Sequence, residues 1–277
     1  MKIDYTDQEK NAVLLYQGCG VPGDGDVFYQ QSDAFQSFNL LLMEGQDGER
    51  VRICMEKQQP KCIYIRRWSK TIEVMEDLFR VQCKYACEQV SAGKLLPNPL
   101  VRDDRKVNVV QMLEAGRTVT FTSSSKDTMR EGFLEKKQDP HVLHITLSEQ
   151  VPYLDFEGFW GSAYSYEEER EVLFPPMVEI DCQSSWITHE HGLGNIQHYN
   201  ITFKGFCDDT EMMDEKELIA FLAGNAEAAA NGLLDIVNNK LASTVLTDKN
   251  HIYWQWKIVF RKLAIQRMIT IYRSYFA

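Results

Sequence analysis

Three short stretches of this 277-residue chain carry residue types that could do chemistry together. Arg66 ends the run KCIYIRR (61–67), with Arg67 beside it. Phe121 and Thr122 lead into the triplet Ser123, Ser124, Ser125, and Glu169, Arg170 and Glu171 precede Val172 and Leu173. A guanidinium grips phosphate oxygens in a fork that an ammonium cannot reproduce. A serine hydroxyl both donates and accepts, so it can orient two partners at once. Carboxylates two positions apart on a strand face the same side, where one can stabilise positive charge and the other can take a proton. Taken singly, a strand-end arginine is ordinarily a solvated charge, a serine triplet a turn, and a run such as EEERE a solvated face. Their order along one chain is what matters.

The elements that must hold them come from a chain with ample core material. Hydrophobic residues make up 44% and charged residues 25%, which excludes a disordered, collagen-like or disulfide-scaffold class. A net charge of -10 weighs against a nucleic-acid partner. Seven cysteines cannot all pair, and Cys83 and Cys87 stand at helical rather than CxxC spacing, so reduced thiols in a cytosol are expected. Nothing in the spacing joins Cys83 and Cys87 to His189, Glu190 and His191, and no metal is expected. The opening MKIDYTDQEK lacks the apolar centre of a signal peptide, and no apolar run approaches the roughly 18 residues of a membrane span.

Thr6 with Glu9 three positions later predicts the start of a helix, and Ala12, Val13, Leu15 and Tyr16 follow on one side. Phe35, Phe38, Leu41 and Leu42 suggest a second helix, and residues 71–91 a third, closed by Pro97 and Pro99. Strand texture follows in VNVVQML (107–113), RTVTFTS (117–123), HVLHITL (141–147), REVLFPP (170–176), MVEIDCQ (177–183) and HYNITFKGF (198–206). From Thr210 the pattern is helical again. Between Lys249 and Ala277 there are six basic residues and no acid, but these charges do not collect on one face. A packed C-terminal helix whose Lys and Arg stems snorkel is the expectation there.

Where the three stretches meet, the chain resembles the Arg-Ser-Glu class of mono-ADP-ribosyltransferases, a family of bacterial toxins and effectors. VTFTSSSKD resembles that family's aromatic-x-Ser-Thr-Ser strand, and SYEEEREVLFPP is similar to its Glu-x-Glu strand with a trailing Val-Leu-x-Pro. YTDQEKNAVLLYQG and FQSFNLLLMEG look like its N-terminal helices. The resemblance covers residues 5–207; residues 211–277 match nothing nameable. Two departures stand out: Arg67 where glycine is common, and Ser124 where threonine is usual.

The resemblance implies a mixed α+β fold: N-terminal helices, a two-sheet β core with the NAD cleft between the sheets, and a C-terminal helical extension. The corresponding domains are 1–207, with a helical lead 1–58 and a β-rich core 59–207, and 208–277. It implies transfer of ADP-ribose from NAD to a protein side chain, with arginine the acceptor that Glu169 would favour. Splitting the nicotinamide–ribose bond passes through an oxocarbenium-like state, which a carboxylate beside the ribose stabilises. By the resemblance Glu171 is that carboxylate, Glu169 serves the acceptor, and Ser123 orients Glu171 and the ribose with Ser125 bracing the strand. Arg66 or Arg67 would hold the phosphates. The segment 155–168 reads as a loop for recognising the target protein through Phe159, Trp160, Tyr164 and Tyr166. NAD is expected as substrate, with a target protein as partner, no nucleic acid, and a monomer. The chain would stay in the cytoplasm that made it, or be delivered into a host cell without a signal peptide. An NAD glycohydrolase using water as acceptor, or a non-catalytic binding module, are the alternative readings.

Overall fold

The protein is described here by a computed structural model, covering residues 4–18, 38–39, 41–42, 68–94, 96, 99–126, 140–148, 150–161, 170–190, 192–208 and 252–276, with 68–70 and 252–257 described in backbone only. Two compact units interleave along the chain. One comprises Met1–Asp4, Phe79–Asp208 and Tyr272–Ala277; the other comprises Tyr5–Leu78 and Asp209–Ile271.

The second unit is helical in its described part. Helix α1 (Asp7–Tyr16) starts where the sequence predicts. The Glu9 N–H donates to Thr6 Oγ1 at 3.1 Å, and the Thr6 N–H donates back to Glu9 Oε2 at 2.9 Å, closing a capping box. Its buried face carries Ala12, Val13, Leu15 and Tyr16, the last with its ring 6.0 Å from Phe38. Helix α2 (Trp68–Ser91) buries Ile72, Met75 and Leu78 in this unit and ties Asp77 to Gln8 Nε2 at 2.6 Å. The C-terminal helix α5 (Ile252–Phe276) is packed as expected: it buries Leu263, Met268 and Ile269 here, while Arg261 Nε donates to the Leu42 carbonyl and Arg267 pairs with Glu76 at 2.6 Å.

The first unit holds the sheet. Its described elements are β1 (Leu100–Arg105), α3 (Lys106–Ala115), β2 (Thr122–Ser125), β3 (Pro140–Leu147), β4 (Leu154–Asp155), α4 (Phe156–Trp160), β5 (Glu171–Phe174), β6 (Val178–Glu190) and β7 (Gly194–Phe206). Seven strands run in the order β4-β5-β2-β1-β3-β7-β6. The α+β class is as expected, and hydrogen bonding is continuous through β1, which joins β2 on one side and β3 on the other. Phe79 packs its ring 5.0 Å from Phe206, and Phe174 meets Phe203 edge-on at 5.0 Å, so aromatic pairs fill the core of this unit.

One segment departs from the sequence reading. VNVVQML is helix rather than strand: residues 106–115 form α3, which buries Val109 and Met112 and leaves Val107 exposed. Burial at i and i+3 is a helical stripe that three valines disguise. Asp104 organises its start by accepting from the Arg105 N–H and from Asn108 Nδ2, both at 2.7 Å, and Gly116 ends it at φ +64°, a conformation glycine adopts without penalty. The strand lies just before it, in LVRDDR, whose charges hide its pairing with β3 along the whole length.

Candidate active site

Strands β5, β2 and β1 are neighbours, and each brings one chemically capable side chain. Ser125 lies opposite Glu171 on β5 and opposite Val101 on β1; Ser123 lies opposite Leu173. Directly opposed residues share a face and keep their Cβ atoms within about 5.5 Å. Period-two alternation therefore gathers Ser123, Ser125 and Glu171 on one face, while Thr122 and Ser124 point the other way and are buried. Ser123, Ser125 and Glu171 are each partly exposed, as groups that meet a ligand must be.

The arginine that reaches Ser123 is Arg102, on β1; it follows Val101, the residue opposite Ser125, so it leaves the strand on the face of Thr122 and Ser124 and its long side chain brings the guanidinium to Ser123. Its Nη1 donates to the Ser123 carbonyl and lies 3.4 Å from Ser123 Oγ. Its Nε and Nη2 both reach Asp104 Oδ2, at 2.9 and 2.6 Å. Burial alone would raise the Asp104 carboxyl, but the Arg102 charge, the Asn108 amide and the Arg105 N–H together hold it below its usual range. Asp104 thus stays ionised and anchors the guanidinium that reaches Ser123, with Nη2 keeping a second N–H outside these contacts.

Sequence reasoning missed Arg102. It is one of four charged residues in LVRDDR, and no local pattern marks it. Arg66, Arg67, Glu169, Tyr164 and Tyr166 lie outside the described residues.

No family model and no curated protein matches the chain. Loose likenesses to solved structures exist. Plx2a, an ADP-ribosyltransferase toxin from Paenibacillus larvae, matches with a TM-score of 0.34 and 11% identity over 73% of this chain and 98% of its own. BECa, an ADP-ribosylating toxin of a C. perfringens binary enterotoxin whose structure contains NADH, matches at 0.34 and 13% over 61% of this chain and 46% of its own. C2-I, the enzymatic component of the C2-toxin from Clostridium botulinum, matches at 0.32 and 14% over 68% and 46%. The chain spans just under half the length of BECa and C2-I. At such scores no residue correspondence follows, and the site stands on its own geometry.

The segment expected as a recognition loop begins as helix α4, which carries Phe159 and Trp160. Their rings meet edge-on at 4.7 Å, and Phe159 lies 6.5 Å from Tyr85 of α2. A Cβ on Gly158 would sit 2.0 Å from the Tyr85 hydroxyl, so helix and tyrosine can approach only over a glycine. Tyr153, edge-on to Tyr85 at 5.7 Å, is pushed up to about 12 by burial and by Asp155, so its phenol stays protonated. Tyr85, Gln89, Tyr153, Asp155, Lys126 and Arg170 line a cavity of about 430 Å³ next to the start of β5. Phe159 and Trp160 are each partly exposed, with their rings against one another.

No helix among the described residues is long and apolar enough to cross a membrane.

Proposed function

We propose that this protein transfers ADP-ribose from NAD to a side chain of a target protein. What carries the reading is the juxtaposition of Arg102, Ser123 and Glu171 on three adjacent strands, although the first two are 21 and the last two 48 positions apart in sequence. In this reading the Glu171 carboxylate accepts a hydrogen bond from a ribose hydroxyl and stabilises the positive charge that develops as the bond to nicotinamide breaks. Ser123 orients ribose and carboxylate together. Arg102 donates to one pyrophosphate oxygen with the Nη2 N–H left outside its contacts with Asp104 and Ser123, and its charge attracts the rest of the group. Arg66 and Arg67 remain alternatives for that grip, and Ser125 braces the strand opposite Glu171.

Glu169, two positions before Glu171, takes the proton of the incoming nucleophile, and arginine is the acceptor we favour. Phe159, Trp160, Tyr164 and Tyr166 contact the target protein, which belongs to a host cell into which the chain is delivered.

The test is incubation of wild type and Glu171→Gln with NAD labelled on its adenosine side, with and without eukaryotic cytosol, reading nicotinamide release and labelled protein. Glu171→Gln is expected to lower release by about 100- to 1,000-fold, the range for losing one transition-state stabiliser. Release by the wild type without any labelled band would replace the transferase with a glycohydrolase, and full activity in Glu171→Gln would sink the site. Glu169→Gln is expected to lose labelling while keeping NAD hydrolysis.

A further inference from the structure

Lys126 directly follows the serine triplet, and the reading above gives it no task. Its side chain is only 7% exposed, and its ammonium donates to Asp155 Oδ1 at 2.8 Å, Asp155 Oδ2 at 3.0 Å and Glu157 Oε2 at 2.6 Å. Three carboxylate oxygens thus meet a group with three donors. Its backbone N–H donates to the Arg170 carbonyl at 3.1 Å. Asp155 ends β4 and pairs with Val172 of β5, while Glu157 lies in the first turn of α4.

Arg170 is the residue before Glu171. It sits at φ +41°, a left-handed conformation that arginine rarely adopts and that neighbouring structure must enforce. Its Nε lies 3.6 Å from the same Glu157 oxygen that accepts from Lys126. One lysine at the end of β2 therefore holds β4, α4 and the first residue ahead of β5. Without its charge, the Asp155 and Glu157 carboxylates gathered at one point would repel each other, which would pull Glu157, the partner of Arg170, away from the turn while the backbone N–H kept its hold on the Arg170 carbonyl.

We propose that Lys126 is a positioning residue for Glu171: its ammonium clamps Asp155 and Glu157 and its backbone N–H clamps Arg170, which together fix the start of β5 and the carboxylate that follows. The proposal rests on the role given to Glu171 above. A carboxylate that stabilises a transition state must be held to within about half an ångström, so a loosened β5 costs turnover more than NAD binding.

The experiment compares wild type with Lys126→Met, Lys126→Arg and Glu157→Gln in the full chain, by NAD hydrolysis kinetics and by hydrogen exchange of the β5 amides. Lys126→Met is expected to lower kcat by about tenfold or more with KM for NAD within about twofold, and to speed exchange at Val172, Leu173 and Phe174 while β6 and β7 keep their protection. Lys126→Arg keeps the charge and is expected to recover most of kcat. Glu157→Gln, at a half-exposed position, is expected to show a smaller change of the same kind. Wild-type exchange and kcat in Lys126→Met would overturn the proposal, as would loss of protection spread evenly over all strands with no rescue by arginine. If the wild type turns over no NAD, the NAD reading fails; local loosening of β5 in Lys126→Met would still support the clamp, and its absence would overturn it.

Discussion

Arg102 combines contacts that a lysine cannot reproduce: a fork onto Asp104 through Nε and Nη2, and a donor from Nη1 onto the Ser123 carbonyl. Under the NAD reading, Arg102→Lys keeps the charge but loses the planar fork. The expected cost of about 1.5–3 kcal/mol, typical of a hydrogen bond to a charged group, corresponds to roughly a 10- to 100-fold fall in kcat/KM for NAD, and steady-state kinetics on this variant beside Arg66→Lys and Arg67→Lys would check it. If Arg66→Lys alone showed the loss, the phosphate grip would belong there. Ser123, Ser125 and Glu171 were candidates from the sequence because the runs around them, in order, resemble the motifs of a known family, and the structure sets their strands side by side. Arg102 was not, because in LVRDDR four of six residues are charged and nothing local separates an arginine that meets a neighbouring strand from one that meets water.

Among the elements, α1 and the C-terminal helix were legible because their signals are local: a capping box for one, a long apolar pattern without glycine or proline for the other. Helix α3 was not, since valines favour strands and the deciding events, Asp104 at its start and Gly116 at its end, depend on the strand before it. Helix α4 was hidden for another reason. Five residues containing a glycine make a poor helix alone, and this one exists where Gly158 lets Tyr85 come close. Gly158→Ala should therefore lower stability by about 1–3 kcal/mol, the usual cost of overpacking, in urea unfolding. Adding Tyr85→Phe, which removes the clashing oxygen, should recover part of that loss; an additive double variant would contradict the contact.

At the scale of the whole molecule, acid should act through the far end of the sheet. His144 of β3 and His198 of β7 share a hydrogen bond at 3.1 Å, Thr188 of β6 reaches His198 Nε2 at 2.7 Å, and Trp186 stacks on both rings at 5.1 Å. Burial lowers both histidines, with the His198 charge adding to the effect on His144 and Glu190 partly opposing it on His198. Lowered values mean that the unfolded chain binds more protons than the native one below about pH 6.5, so stability is complete above that pH and falls as pH drops toward the native values. Urea midpoints measured from pH 8 to pH 5 should fall, and His198→Gln should flatten the fall; a flat wild-type profile over that range would contradict it. The Asp104 carboxylate, lowered in the native state, adds its own loss only further into acid, below its ordinary value near 4. The sequence by itself determined the α+β class, the capped first helix, the packed C-terminal helix and the serine and glutamate strands, because periodicity, caps and short motifs act within a few residues. Tertiary structure alone decided which strands are neighbours, and with that which arginine meets Ser123 and which lysine braces Glu171. Those pairings join residues 21 to 48 positions apart, and they are set by the order of strands across the sheet, which no local pattern encodes.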